Sequence, residues 1–273
     1  MKLSACLVIH NEEKVLSRCL SGLRDIAGEI IIVHDGVCRD KSLVIAKKFN
    51  ARIFVRKFVG EAEYHRVFAF SKAKGEWILN TDADEVLSPL LKKELPRLME
   101  SKTCDAYLFS WPYPDGSGYI KTGPFSRTVK PALFRKSRVF MIGLSHEYPR
   151  TYGKSCKRYD LRMDHNPLYD NFSFKAFKGK WVKWAEIQAR QLKNLELLPV
   201  LNITATNHPQ YKSLKSIYIH PLLTGLTESV KYLVIYFYRG VLFAGGRSIK
   251  IAIMELCYIW LLRYNIMKIK YGR

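Results

Sequence analysis

The sequence predicts an α/β protein, a mostly parallel sheet flanked by helices and followed by a helical extension. Three observations carry this reading. Over the first hundred residues short apolar runs alternate with stretches of helical periodicity, the pattern of consecutive strand and helix units. Three acids, Asp82, Asp84 and Glu85, gather directly behind the apolar run Trp77-Ile78-Leu79, in a chain with 45 Lys and Arg against 24 Asp and Glu and a net charge of +21. From about residue 169 onward the pattern changes to basic, amphipathic and aromatic-rich helices.

Residues 3 to 9 read as a buried strand. Asn11 is placed as the cap of a helix whose apolar positions Val15, Leu16, Cys19, Leu20, Leu23 and Ile26 recur at helical spacing, with Glu12 and Glu13 at its positive end. Glu29 to Val33 is a second strand running into His34-Asp35-Gly36. Ser42 to Phe49 is a helix and Arg52 to Val55 a third strand, so right-handed parallel crossovers follow. Residues 61 to 74 read as a helix ended by Gly75 as C-cap, before a fourth strand from Glu76 to Asn80. Ser88-Pro89 marks a helix start, with Pro96 expected to kink or end it. Asp105 to Trp111 and Ala132 to Arg135 are further strands, and residues 112 to 130, rich in Pro, Gly and Ser, a loop over the site. Ligands of such sheets bind beyond the carboxyl ends of the strands. That edge gathers Asn11-Glu12, His34-Asp35 and Asp82-Ala83-Asp84.

In an extended segment residues two apart face the same way, so Asp82 and Asp84 are expected to present carboxylates together. Hard oxygen ligands suit Mg²⁺ or Mn²⁺, and an ion completed by substrate phosphates neutralises a departing diphosphate. The competing structural explanation is a cap for the next helix.

The composition, 48% hydrophobic over 273 residues, supports a full-sized core and argues against disorder. The six cysteines show no spacing of a zinc site or disulfide framework. The apolar run at the start is too short for a secretory signal, so a cytoplasmic protein is expected. A basic surface attracts phosphates of nucleotides, lipids or nucleic acid. Nucleic-acid binding is disfavoured because no RNP, zinc-finger or helix-turn-helix pattern is present. A nucleotidyltransferase would need a Gly-rich basic loop where His10-Asn11-Glu12-Glu13 stands.

The runs LSACLVIHNEEKVLSRCL, EIIIVHDGVCRDKSLVIAKKFNARIF and GEAEYHRVFAFSKAKGEWILNTDADEVLSP resemble, in order and spacing, the N-terminal half of family 2 glycosyltransferases. The resemblance implies a GT-A fold, a nucleotide-sugar donor (a UDP-sugar foremost), a divalent metal and inversion at the anomeric carbon. It further implies Asn11 and Glu12 near the nucleoside, Asp35 at the base, Arg66 near the diphosphate, Asp82 on the donor and Asp84 on the metal. His165 resembles a histidine near metal and donor in related enzymes. Inversion calls for a general base, for which Asp115, Glu147, Asp160 and Asp164 are candidates. Glu147 is favoured because FMIGLSHEYPR resembles a His-Glu segment of the branch that includes lipopolysaccharide-core glucosyltransferase-like proteins. The bland role for Glu147 is a surface pair with Arg150.

From Phe174 to Leu198 one amphipathic basic helix is expected. The segment YFYRGVLFAGGRSIKIAIMEL resembles that branch's aromatic helix pair, and its Arg, Lys, Tyr and Trp residues suit a bilayer interface. The alternative is a helical subdomain with its aromatics as core. The expected layout is a catalytic domain over residues 1–168 and a helical extension over 169–273. The expected setting is the cytosolic face of an anionic membrane, with a glycolipid, lipid-linked saccharide or lipopolysaccharide-type acceptor.

Overall fold

The computed structural model describes residues 2–115, 118–203 and 208–272, and the chain falls into two compact units. The first unit comprises Met1–Pro112, Thr128–Leu168 and Pro199–Ile203, and the second Tyr113–Arg127, Tyr169–Leu198 and Thr204–Arg273.

In the first unit β1 (Leu3–Ile9), α1 (Glu13–Leu23), β2 (Glu29–Asp35), α2 (Ser42–Lys48) and β3 (Arg52–Arg56) follow one another. Then come α3 (Ala62–Lys72), β4 (Trp77–Asn80), β5 (Glu85–Leu87), α4 (Pro89–Glu100) and β6 (Ala106–Ser110). The short hairpin of β7 (Pro114–Asp115) and β8 (Gly118–Tyr119) lies in the second unit. The first unit resumes with β9 (Val129–Arg135), β10 (Val139–Ile142), β11 (Arg150–Thr151) and β12 (Ser155–His165). Eight of these strands form one sheet in the order β3-β2-β1-β4-β9-β6-β12-β5. β1 pairs parallel with β2 and β4, and β2 parallel with β3. β9 is the antiparallel member between β4 and β6. This is the α/β, GT-A-type arrangement that the sequence predicts.

Period-two alternation sends side chains to both faces of the sheet. Leu3, Ala5, Leu7 and Ile9 of β1 join Ile30 and Ile32 of β2 in one core with Leu16, Leu20 and Leu23 of α1 and Leu91, Leu95 and Leu98 of α4. Cys6, Ile31, Val33 and Ile78 point the other way, onto Val67 and Phe70 of α3. Burying each such Leu, Ile or Phe stabilises the fold by about 1.5–3 kcal/mol, so continuous apolar strands are what a sheet covered on both faces requires.

Several expectations are corrected. Asn11 is not the cap of α1: it takes a left-handed φ of 56°, and its Oδ1 accepts from Arg39 N at 2.8 Å. Gly75 does not end α3, whose C-cap is Ala73. It lies instead against the start of β1, where a Cβ would come within 2.8 Å of Ser4 N. α4 runs through Pro96 to Glu100, because Leu91, Leu95 and Leu98 anchor its buried face on both sides of the proline. Strand β9 begins at Val129, so the predicted loop ends earlier and Lys130 belongs to the sheet. Residues 116 and 117 of that loop lie outside the described residues. Cys104 and Cys156 form a disulfide across the parallel β6–β12 pair, a tertiary neighbour relation that sequence spacing does not reveal.

In the second unit the single helix expected from Phe174 is broken into α5 (Phe174–Ala176), a π-helical turn (Phe177–Trp181) and α6 (Val182–Lys193). β13 (Val200–Leu201) returns to the first unit and pairs with β10. α7 (Pro209–Ile219), α8 (Pro221–Tyr238), a 3-10 turn (Val241–Phe243) and α9 (Gly246–Tyr271) complete the chain. Ile120, Phe125, Tyr236, Val241, Ile251 and Ala252 form the apolar centre of this unit. Between α8 and α9 the Tyr236 hydroxyl donates to Glu255, and Arg263 pairs with Glu228 at 2.5 Å.

Candidate active site

The acidic stretch sits at the carboxyl end of β4, beside the ends of β1 and β2. It is a turn and not an extended segment: Glu85 N donates to Asp82 O at 3.1 Å, so the two-apart argument for Asp82 and Asp84 fails. The acids do not cap α4 either, since Ser88 does so by accepting from Leu91 N.

Asp82 is gripped from two sides. Arg66 of α3 donates to its Oδ1, and Lys130 of β9 to its Oδ2 at 2.6 Å. Lys130, 2% exposed, also donates to Glu85 at 2.6 Å. Glu85 is fully buried and accepts in addition from Trp111 Nε1 at 2.7 Å, Asp82 N at 2.8 Å and Thr81 Oγ1 at 3.2 Å. Burial pushes the Asp82 carboxyl up, but the Arg66 and then the Lys130 charges outweigh it and hold the group well below the usual carboxylate range. Burial dominates at Glu85 and raises it, against the pull of Lys130. Buried charges of this kind persist only when paired and hydrogen-bonded, which is the condition met here. The Asp82 side chain keeps 32% of its surface open to solvent, so an ionised edge remains available to a ligand.

Asp84 faces elsewhere. Its Oδ2 lies 3.2 Å from His165 Nε2, and the His165 ring stacks on Trp111 with centroids 4.4 Å apart. The antiparallel register of β5 against β12, which sets His165 opposite Glu85, delivers the histidine to this spot. His165 Nδ1 is buried with no partner. Asp84 and His165 thus form a two-ligand set that fits a divalent cation completed by ligand oxygens. Asp82 does not fit a cation, because both its oxygens already meet cationic side chains. Among the described residues no group of three or more His, Cys, Asp or Glu side chains is poised for a metal.

Asp35, 4% exposed, closes the loop after β3: Val59 N and Gly60 N each donate to it at 2.7 Å, and His65 Nε2 donates at 2.9 Å. His34 beside it is buried and reaches Gly36 O through Nδ1. Its Nε2 then accepts from Asn11 N at 3.4 Å. Glu12 lies next to Asn11, its N donating to Ser42 Oγ at 2.7 Å. The expected nucleoside-side residues Asn11, Glu12 and Asp35 are therefore brought together at one sheet edge.

Glu147 follows β10 and pairs with Arg150 at 3.2 Å, its side chain 19% exposed. Asp164 pairs with Arg162 at 2.6 Å and Asp160 with Arg158 at 2.6 Å, while Asp115 belongs to the second unit. Tyr148, next to Glu147, is 45% exposed. Sequence reasoning missed Lys130, Glu85 as a buried anchor, and Trp111. Lys130 stood in a stretch read as loop, and one lysine among 45 basic residues carries no local signal.

A mostly parallel sheet of this order, flanked by helices and carrying an acidic turn behind β4, defines a protein of the α/β class with its polar site at the carboxyl edge of the strands. The chain belongs to glycosyl transferase family 2, whose family model matches residues 4–161. An uncharacterized glycosyltransferase of Rickettsia bellii is 36% identical over 107 residues, 39% of this chain and 36% of that protein. The lipopolysaccharide core biosynthesis glycosyltransferase LpsC of Rhizobium meliloti is 30% identical over 128 residues, 44% of this chain and 46% of that protein. The chain thus spans well under two thirds of the curated relatives it matches. The crystal structure of S. aureus TarS 1-349 in complex with UDP-GlcNAc aligns over 100% of this chain and 93% of that one, at 15% identity and a TM-score of 0.49.

Proposed function

We propose that this family 2 glycosyltransferase moves a sugar from a nucleotide-sugar donor, a UDP-sugar, to a hydroxyl of a glycolipid, lipid-linked saccharide or lipopolysaccharide-type acceptor, with inversion. The carrying observation is the neutralised Asp82 beside the Asp84–His165 pair at the carboxyl edge of the sheet. Arg66 and Lys130 keep Asp82 ionised and fixed, so its open edge accepts hydrogen bonds from donor hydroxyls without reorganising. Asp84 and His165 hold Mg²⁺ or Mn²⁺, which when bound supplies charge neutralisation to the leaving diphosphate. Asn11, Glu12 and Asp35 form the nucleoside end. Glu147 takes the acceptor hydroxyl proton.

The acceptor class draws support from the lipopolysaccharide-core function in the name of the LpsC relative. A seat at a membrane surface draws support from α8, whose Leu222, Leu226, Val230, Leu233 and Phe237 are all more than half exposed. No helix among the described residues is long and apolar enough to cross a membrane.

The test is isothermal titration with UDP, GDP, CDP, ADP and dTDP, with and without Mn²⁺, on the wild type and Asp84→Ala. One diphosphate is expected to bind in a Mn²⁺-dependent way, and Asp84→Ala to lose that dependence with an unchanged circular dichroism spectrum. Binding by none of the five, or full Mn²⁺ dependence in Asp84→Ala, sinks the reading.

A further inference from the structure

The donor site uses neither of two features of the first unit, a buried acid at the start of α3 and a left-handed residue beside Glu147. Glu61 is 4% exposed and occupies the N-cap position of α3, yet its side chain makes no cap hydrogen bond. A capping side chain ordinarily accepts from an amide of the first helical turn. Glu61 Oε2 accepts instead from Ser145 Oγ, 84 positions further along the chain, and Ser145 is 0% exposed. Ser145 and His146 are the central residues of a tight turn, closed by Glu147 N donating to Leu144 O at 3.1 Å. His146 takes a φ of 62°. Gly or Asn is the usual choice for a positive φ at the third residue of a turn, so the surroundings hold His146 in this conformation.

Two contacts supply those surroundings. Gly143 lies so close to α3 that a Cβ there would come within 3.1 Å of Tyr64 Cα, and its N donates to Pro199 O at 2.8 Å. Two residues on, Ser145 is tied to Glu61. The turn that presents Glu147 is thus fastened to the start of α3 on both sides of Leu144. The same loop reaches the nucleoside end, because Val59 N and Gly60 N both donate to Asp35 and the next side chain is Glu61. Three consecutive residues therefore hold Asp35 with two amides and the turn of Glu147 with one carboxylate.

We infer that Glu61 is a positioning residue for the transfer step: through Ser145 it fixes the turn of residues 144–147, and with it the reach of Glu147 toward an acceptor hydroxyl. This rests on the base role of Glu147 given above. A base misplaced by about 1 Å loses on the order of 10² in rate. Donor affinity is spared, because the amides that hold Asp35 belong to the backbone of residues 59 and 60 and a side-chain change at Glu61 leaves them in place.

Glu61→Ala, Ser145→Ala, the double variant and Glu61→Gln are compared in the full chain. Turnover is read with a panel of radiolabelled UDP-hexoses, with deacylated lipopolysaccharide core and a polyprenyl-phosphate-linked saccharide as acceptors. Each single Ala variant is expected to lower kcat about 10²-fold with the donor KM within about twofold of wild type. Glu61→Gln keeps an oxygen for Ser145 Oγ and should stay near the wild-type kcat. The double variant removes both ends of the bond and strands neither, so its melting temperature should exceed that of either single Ala variant while its kcat stays low. A purely structural role predicts the opposite, kcat recovering together with stability, and that result overturns the inference. So does wild-type kcat in the Ala variants, or a folded Glu61→Gln without turnover, where Glu147→Gln is inactive; the base role then stands alone. Wild-type turnover by Glu147→Gln, or none by the wild type, removes the base role and the inference with it.

Discussion

Lys130 makes the sharpest prediction. Its ammonium is 2% exposed and lies 2.6 Å from both Asp82 and Glu85, and Glu85 is wholly buried. Lys130→Met keeps the length and apolar stem but leaves Glu85 without its counter-charge and Asp82 with Arg66 alone. Removing one partner of a buried pair costs about 3–5 kcal/mol, chiefly the desolvation of the charge left behind. For a chain of this size each kcal/mol moves a melting transition by roughly 2–4 °C, so a loss of roughly 6–20 °C is expected. Differential scanning calorimetry reads it, with the two units fitted as separate transitions. Adding Glu85→Gln removes the stranded charge while keeping one oxygen to accept from Asp82 N and Thr81 Oγ1, at the loss of the acceptor for Trp111 Nε1, so the double variant should be more stable than Lys130→Met alone, with a coupling of about 2 kcal/mol. A loss under about 1 kcal/mol in Lys130→Met, or additive effects in the double variant, would refute the argument that Lys130 neutralises the acidic turn.

Gly75→Ala should destabilise the first unit by about 1–3 kcal/mol in urea titrations, because the new Cβ meets the backbone at Ser4 N and Leu3 C, at 2.8 and 2.9 Å, where nothing can swing aside. Glu255→Gln is expected to raise the melting temperature at pH 7 and to have no effect near pH 4. Burial raises the Glu255 carboxyl, so the native state holds that proton more tightly than the unfolded chain. Stability is then full below the unfolded pKa of about 4.3 and falls as pH rises through the elevated native value. A benefit from Glu255→Gln that grew toward pH 4 would reverse this sign. Glu147→Gln should keep nucleotide affinity and cut transfer turnover by a factor on the order of 10² or more, measured with a radiolabelled donor; wild-type turnover would remove Glu147 from the base role.

The parallel half of the sheet could be read from the sequence because β1 to β4 are apolar runs whose burial is set by neighbours close in the chain. The acidic turn was visible for the same reason: Asp82, Asp84 and Glu85 stand within four positions. What escaped is what arrives from afar. Lys130 reaches Asp82 across 48 positions through an antiparallel register, and the Cys104–Cys156 bridge needs β6 and β12 side by side. Local pattern also misassigned two turn residues. Asn11 looks like a cap because Asn favours caps, yet the same short amide tolerates a left-handed φ and bonds to Arg39 instead. Gly75 looks like a helix stop, and its missing side chain serves close packing on β1.

The chain passes between its two units after residues 112, 127, 168, 198 and 203. The first of these excursions carries Ile120 and Phe125, which pack with Tyr236, Val241 and Ile251 from the far end of the sequence. Neither unit is therefore a contiguous cassette. A single proteolytic nick cannot release one from the other, and a chain emerging from the ribosome holds residues 113–127 without their apolar partners until the last helices are made. The helical unit is completed in synthesis after the first unit, and β9, which brings Lys130 to the acidic turn, follows directly on a segment that waits for it.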